Sequence, residues 1–307
     1  MTRVAAVDMG TNSTRLLVAD IDGRGRDAKL VTLDRRTHIT RLGQGVDRDR
    51  TLHPDAIERV LAVLREYRGI MDELGVERVR ATATSAARDA SNRDDLFDPV
   101  EQILGARPEL LEGDAEARLE FIGATAGLRE PSPYFVVDVG GGSTELIVGT
   151  EEPDDLTSID VGCVRLTEQF LHSDPPTAEE LSQAVSVVRD QLADVGRRMP
   201  ATWTAPTLVG TAGTIWTMAA IELGVDAKRS DLVDHFVLTR AAAEEVFRTL
   251  ATESVAQRRH NPGLEPGRVD VIVGGAIVVV SVMRHWNYDS LLVSEADILD
   301  GLVRDAV

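Results

Sequence analysis

The sequence predicts a two-lobed α/β fold made by duplication, and three observations point to it. Residues 5–19, AAVDMGTNSTRLLVA, align without a gap on residues 135–149, FVVDVGGGSTELIVG, at an offset of 130. Asp8 falls on Asp138, Gly10 on Gly140, Ser13 on Ser143 and Thr14 on Thr144, with apolar residues on both flanks. Each copy is an apolar, β-branched run, a Gly/Ser turn and a second apolar run, which reads as strand, turn, strand. Two copies of one hairpin suggest two homologous lobes facing a central cleft, where ligands commonly bind.

The second copy carries more chemistry. Gly140, Gly141 and Gly142 leave the turn without a Cβ, so its backbone N–H groups can close on an anion. Asp138 and Glu145 stand at its edges and suit a hard divalent cation shared with that anion. An ordinary glycine-rich hairpin would explain a lone GGGST; the repeat argues against that. Neither copy is a Walker loop, because no Gly-Lys-Ser/Thr follows. Neither is a dinucleotide fingerprint, since a strand follows the glycines.

At 307 residues the chain can bury one large or two medium cores, and the duplication favours two. Hydrophobic content of 43% and charged content of 27% are those of a globular protein. The net charge of -18 argues against nucleic acid as a partner, since phosphate contacts need basic patches. It also repels polyanions at long range, so a phosphate-rich ligand must rest on local arginines, backbone amides and metal. Cys163 is the only cysteine, which excludes an intrachain disulfide and makes a reducing cytoplasm the simplest setting. Its VGCVRL context reads as a buried, inert thiol. No secretory signal is expected, because Asp8 interrupts the first apolar run. No membrane span is expected either, the longest apolar segment being Val271–Met283.

In chain order, residues 1–20 form the first hairpin. A turn at Asp22–Gly25 leads to one or two strands over Lys29–Thr40. Arg35, Arg36 and Arg41 make that stretch basic, as a solvated face or as a wall for a phosphate chain. Pro54 and Asp55 open a helix with Ile57, Val60, Leu61, Leu64 and Met71 at helical spacing up to Gly75. Val79–Thr84 reads as a buried strand that delivers Arg88 to the start of a helix. Guanidinium and helix N-terminus there both favour an anion, a surface ion pair being the alternative.

After the short strand Glu109–Leu111, Asp114 reads as the N-cap of a helix Ala115–Thr125, with Glu116 in its first turn. Arg129–Pro133, polar and proline-rich, marks the lobe boundary, giving lobes 1–128 and 129–296. Asp154–Ile159 leads to a strand around Val161–Leu166. Thr177 and Glu180 make a capping box for a helix carrying Leu181, Val185, Val188, Leu192 and Val195. Thr207–Thr214, TLVGTAGT, reads as strand and turn before the helix Ile215–Leu223, which leaves N–H groups at Gly213 and Thr214 for an anion. His235 reads as structural. A buried helix beginning at Val269–Val271, a strand Leu291–Ser294 and a closing helix Asp297–Arg304 complete the chain.

Seven segments in this order, DMGTNSTRLL, ATSAARDASN, GDAEARLEF, DVGGGSTELIVG, VGCVRLTE, SDPPT and GTAGT, resemble those of exopolyphosphatases and guanosine pentaphosphate phosphohydrolases. The similarity runs over nearly the whole chain, which looks like a short, two-domain, actinobacterial-type member. The resemblance implies the actin, sugar kinase and Hsp70 (ribonuclease H-like) fold, with residues 297–307 packing on the first lobe. It implies Mg²⁺-assisted attack of water on the terminal phosphoryl group of inorganic polyphosphate. Glu116, just before Ala117-Arg118, matches the family's proposed general base. Many relatives have Glu-Glu-Ala there; Asp114-Ala115-Glu116-Ala117 keeps the base and loses its neighbour. Asp138 and Glu145 would hold Mg²⁺, or Mn²⁺, with Asp8 directly or through water. Backbone amides at Asn12, Ser13, Gly141, Gly142, Ser143, Gly213 and Thr214 would bind phosphate, and Arg88 would supply the cation. The extra C-terminal domains of long members are not expected, which shortens any channel. Members often form homodimers.

Three rivals remain. Guanosine pentaphosphate (pppGpp) presents the same terminal phosphoanhydride, so the residues leave the two substrates open. A non-catalytic alarmone or nucleotide sensor on the same scaffold is a reading of another class. Retention of Glu116, Asp138 and Glu145 argues against it. A sugar-type kinase lacks an acceptor-site sequence.

Overall fold

A computed structural model describes residues 1–23 and 25–306. Arg24, in the expected turn at 22–25, and Val307, in the expected closing segment, lie outside the described residues. The chain divides into two compact units, Met1–Leu128 with Ala296–Val307, and Arg129–Glu295. The first runs through β1 (Thr2–Met9), β2 (Ser13–Asp22), β3 (Lys29–Ile39), α1 (Val46–Asp49), α2 (Pro54–Leu74), β4 (Arg78–Ala83), α3 (Ser85–Asp89), α4 (Asp94–Leu104), β5 (Glu109–Leu110) and α5 (Gly113–Thr125). The second holds β6 (Tyr134–Val139), β7 (Thr144–Gly149), β8 (Pro153–Ile159), α6 (Cys163–Phe170), α7 (Ala178–Arg198), β9 (Thr207–Thr211), α8 (Ala212–Leu223) and α9 (Ser230–Val233). It continues with β10 (Val237–Thr239), α10 (Arg240–Thr252), α11 (Val255–Arg258), α12 (Ile272–His285) and β11 (Ser290–Val293). The last helix, α13 (Ile298–Asp305), belongs to the first unit.

The first sheet has the order β3-β2-β1-β4-β5 and the second β10-β11-β9-β6-β7-β8. In both, the duplicated hairpin pairs antiparallel, its second strand pairs antiparallel with the next, and its first strand pairs parallel with the strand that follows a helical crossover. The same hairpin thus occupies the same place in each sheet.

Side-chain alternation divides β1 and β2 between two cores. Ala5, Val7, Met9, Leu16 and Val18 pack with residues of α2 and α4. Val4, Ala6, Leu17, Ala19 and Ile21 pack with Leu119 of α5 and with Ile298, Leu299, Leu302 and Val303 of α13. Burial on both faces explains why these strands read as nearly continuous apolar runs. The backbones of α5 and α13 touch, since a Cβ on Gly123 would overlap the Asp297 carbonyl oxygen. In the second unit, Phe135, Val137, Val139, Leu146 and Val148 share one core with α7, α8, α10 and α12. Helix α12 is apolar all round over residues 272–280 because that stretch is buried all round. Among the described residues no helix is long and apolar enough to cross a membrane.

Helix α2 ends as its sequence indicates, with Pro54 at its first turn and Gly75 in the left-handed region at φ 68°. The capping box of Thr177 and Glu180 forms at the start of α7. Lys29–Ile39 is one strand. Three expectations need correction. The strand expected around Val161–Leu166 is not one: Cys163–Phe170 is α6, because Gly140 and Gly141 carbonyls accept its first N–H groups. The helix expected from Ala115 begins at Gly113, with extended Glu112 rather than Asp114 at its N-cap. Helix α8 begins at Ala212, not Ile215, directly from the strand through an Ala212 φ of 64°.

Candidate active site

Hairpin one closes with the Gly10 N–H donating to Ser13 O at 2.9 Å. Its carbonyls are used by the segment after β3. Gly43 donates to Thr11 O at 2.8 Å, and Thr40 and Arg41 donate to Asn12 O at 3.1 and 2.9 Å. The Asn12 side chain is buried, and among the described residues neither of its amide atoms has a hydrogen-bond partner. An unsatisfied buried amide costs about 1–3 kcal/mol, and this one stands at a turn with both a donor and an acceptor to offer.

Asp8 sits in register with Thr82 on β4 and with Arg15 on β2, so the three side chains share a sheet face. Arg15 Nε and Nη2 donate to Asp8 Oδ2 at 3.2 and 2.8 Å, and Thr82 Oγ1 lies 3.3 Å from Oδ1. Asp8 is therefore ion-paired within its own hairpin.

The first unit also brings Arg88 and Glu116 together. Arg88, in α3, donates through Nη1 to Glu116 Oε2 at 2.6 Å and to the Leu111 carbonyl at 2.7 Å. Their side chains are only 17% and 11% exposed. This is an ion pair, but a largely buried one rather than a surface one. Arg35 and Arg36 are also committed to carboxylates, Arg35 to Asp300 at 2.5 Å and Arg36 to Asp34 at 2.6 Å.

In the second unit, Asp138 is in register with Thr211 on β9 and Glu145 on β7, and Glu145 with Ser158 on β8. The row Thr211–Asp138–Glu145–Ser158 repeats Thr82–Asp8–Arg15–Thr37 of the first sheet, with glutamate where the first has arginine. Asp138 and Glu145 are both buried, and the Ser158 hydroxyl donates to Glu145 Oε1 at 2.8 Å. Among the described residues no group of three or more His, Cys, Asp or Glu side chains is placed to hold a metal. Two opposed carboxylates on one face are nonetheless a hard-oxygen set that fits Mg²⁺, which keeps several water ligands.

The triple-glycine turn is held by its carbonyls. The N–H groups of Cys163 and Val164 donate to Gly140 O and Gly141 O, each at 2.9 Å, and Arg165 Nε donates to Gly142 O at 2.8 Å. A Cβ on Gly162 would overlap Gly141 O, so this contact demands glycine there. Among the described residues the N–H groups of Gly141, Gly142 and Ser143 have no backbone acceptor. That leaves the turn able to donate to an anion.

Gly213 and Thr214 open α8, and the Arg268 guanidinium lies so near Gly213 that a Cβ would overlap it. Arg268 is buried, with Nε on Glu265 Oε2 at 2.8 Å, and the Thr211 hydroxyl is buried without a partner among the described residues. Burial pushes the Cys163 thiol up, which suits an inert side chain rather than a nucleophile. His235 is exposed, and its N–H donates to Val293 O at 2.8 Å.

Sequence reasoning gave no role to Arg15, Arg165 or Arg268, nor to the Asn12 side chain. Arg165 had a signal, its fixed distance from the glycine turn in VGCVR. Arg268 had none, because its short 3₁₀ turn, Pro266–Arg268, carries no periodicity.

Two sheets with the same hairpin-centred strand order, each with a buried aspartate at a glycine-turn hairpin, define a duplicated α/β protein. Residues 17–307 match the model of the Ppx/GppA phosphatase family, and the chain belongs to that family. It is 43% identical over 312 residues to exopolyphosphatase 2 of Mycobacterium tuberculosis, covering 98% of each chain. The solved exopolyphosphatase of Cytophaga hutchinsonii is 26% identical with a TM-score of 0.90, over 100% of this chain and 99% of that one. A Ppx/GppA family member from Aquifex aeolicus is 32% identical with a TM-score of 0.82, over 99% and 97%.

Proposed function

We propose that this protein releases orthophosphate from the end of inorganic polyphosphate by attack of water on the terminal phosphoryl group. The observation that carries the reading is the pair Asp138 and Glu145, buried opposite one another across a hairpin whose turn amides are left to donate. Phosphoryl transfer depends on positioning and charge neutralisation, and this arrangement offers both. Asp138 and Glu145 would hold Mg²⁺, with Asp8 the weaker candidate because Arg15 already occupies its Oδ2. When bound, the ion neutralises charge on phosphoryl oxygens. The amides of Asn12, Ser13, Gly141, Gly142, Ser143, Gly213 and Thr214 donate to phosphate oxygens. Glu116 accepts the proton of the attacking water. Arg88 holds that carboxylate and brings positive charge to the phosphate. The lone buried cysteine fits work in a reducing cytoplasm.

Removal of the 5′ γ-phosphate of pppGpp would use the same groups. Turnover on polyphosphate and on pppGpp, measured at matched phosphate concentration, separates the two. Faster turnover of pppGpp overturns the substrate assignment, and release of phosphate from neither overturns the enzymatic reading.

A further inference from the structure

The first unit contains a buried chain of alternating charges that ends on its C-terminal helix. Arg15 reaches Asp8 Oδ2 through Nε and Nη2, while its Nη1 lies 2.6 Å from Asp297 Oδ2. Asp297 is the N-cap of α13, and its other oxygen, Oδ1, accepts the Leu299 N–H at 2.9 Å. Arg35 follows, 3.6 Å from Asp297 Oδ1 and 2.5 Å from Asp300 Oδ2. Asp300 in turn accepts the Asp297 N–H at 3.1 Å. Asp8, Asp297 and Asp300 are all less than a tenth exposed.

A helix cap needs one side-chain oxygen. Asp297 uses one for the cap and gives the second to Arg15. That second contact is no part of the α13 cap. It restrains a guanidinium whose opposite edge grips Asp8, and a planar fork held on both sides sets the angle of the carboxylate it binds.

We propose that Asp297 is a positioning residue, whose second carboxylate oxygen holds Arg15 against Asp8 and so fixes the carboxylate of hairpin one. The proposal rests on the phosphohydrolase reading only where turnover is the readout. Removing such a support typically costs about 10- to 100-fold in activity.

The test uses Asp297→Ser, Asp297→Asn, Arg15→Ala and the double variant Asp297→Ser with Arg15→Ala. Serine and asparagine both cap helices well, so α13 should survive in either. Serine is too short for Arg15, and asparagine removes the charge. Two measurements are made on the full chain. The first is kcat and KM on polyphosphate, with melting temperature as a control. Both Asp297 variants should lose kcat with KM within about twofold, and the double variant should be no worse than Arg15→Ala alone, as for residues acting in series. The second is the arginine Nε–H signal of Arg15, assigned with Arg15→Lys, which should be sharp and slowly exchanging in the wild type and lost in Asp297→Ser. Losses that multiply in the double variant, wild-type kcat in both Asp297 variants, or an unchanged Arg15 signal would each overturn the proposal. If no variant or wild type hydrolyses polyphosphate, the functional reading fails alone and the Arg15 signal still decides.

Discussion

Arg88 Nη1 lies 2.6 Å from Glu116 Oε2 and 2.7 Å from the Leu111 carbonyl oxygen, so one guanidinium ties the start of α5 to the segment that follows β5. The contact links the candidate base to the candidate phosphate cation, and it makes their substitutions informative together.

Glu116→Gln should lower kcat by about 10²- to 10⁴-fold, the usual worth of a positioned base, with KM little changed. Steady-state phosphate release measures it. A variant with near wild-type release removes Glu116 from the mechanism.

Arg88→Ala should raise KM for polyphosphate and lower kcat as well, because Glu116 loses the guanidinium on its Oε2. It should also destabilise the fold, since it leaves a largely buried carboxylate behind. Arg88→Lys keeps the charge without the fork and should fall between wild type and alanine. Arg36→Ala should change KM little at any chain length, its guanidinium being spent on Asp34. KM measured against chain length decides both points. A flat response to Arg88→Ala makes the pair scaffold.

Asp138→Asn and Glu145→Gln should each raise the Mg²⁺ concentration required for half-maximal rate. Each should also shrink the rise in melting temperature that Mg²⁺ produces in the wild type, since a bound ion stabilises only the state that binds it. If both variants keep the wild-type response in both assays, these carboxylates do not hold the metal.

Gly162→Ala should destabilise the second unit by about 2 kcal/mol or more, because its Cβ meets the Gly141 carbonyl. Urea unfolding measures the loss. A cost under about 0.5 kcal/mol would mean the turn and α6 have room to separate.

Glu180 tests the cap of α7. Hydrogen bonds from the Thr177 N–H and the 172–173 segment hold its carboxyl at about 2. A carboxyl held below its unfolded value stabilises the protein above that value, and the benefit fades as pH falls toward the folded one. The stability gap between wild type and Glu180→Ala should therefore be full at neutral pH and narrow below about pH 4.5. Urea titrations between neutral pH and about pH 3 follow the gap. A gap independent of pH would assign it to the helix propensity of residue 180.

Local information was enough for much of this. The hairpins, the turn at Gly140–Gly142, α2 with its proline start and glycine stop, and the Thr177–Glu180 box follow from neighbours in sequence. The duplication is legible because a repeated strand, turn and strand leaves the same residues at the same spacing. α6 was misread because VGCVRL has strand-like composition, and its helical N–H partners lie some twenty residues upstream in the glycine turn. Partners of the charged residues are similarly remote. Asp8 meets Arg15 across a hairpin, but Arg15 meets Asp297 over 282 residues, and Arg88 meets Glu116 over 28. In the two hairpins and α2 the sequence alone determined which residues stand at the element ends and turns, because φ/ψ preference and side-chain alternation are local. Only the tertiary structure decided which charges neutralise one another, because that depends on distances between side chains that folding, not sequence order, brings close.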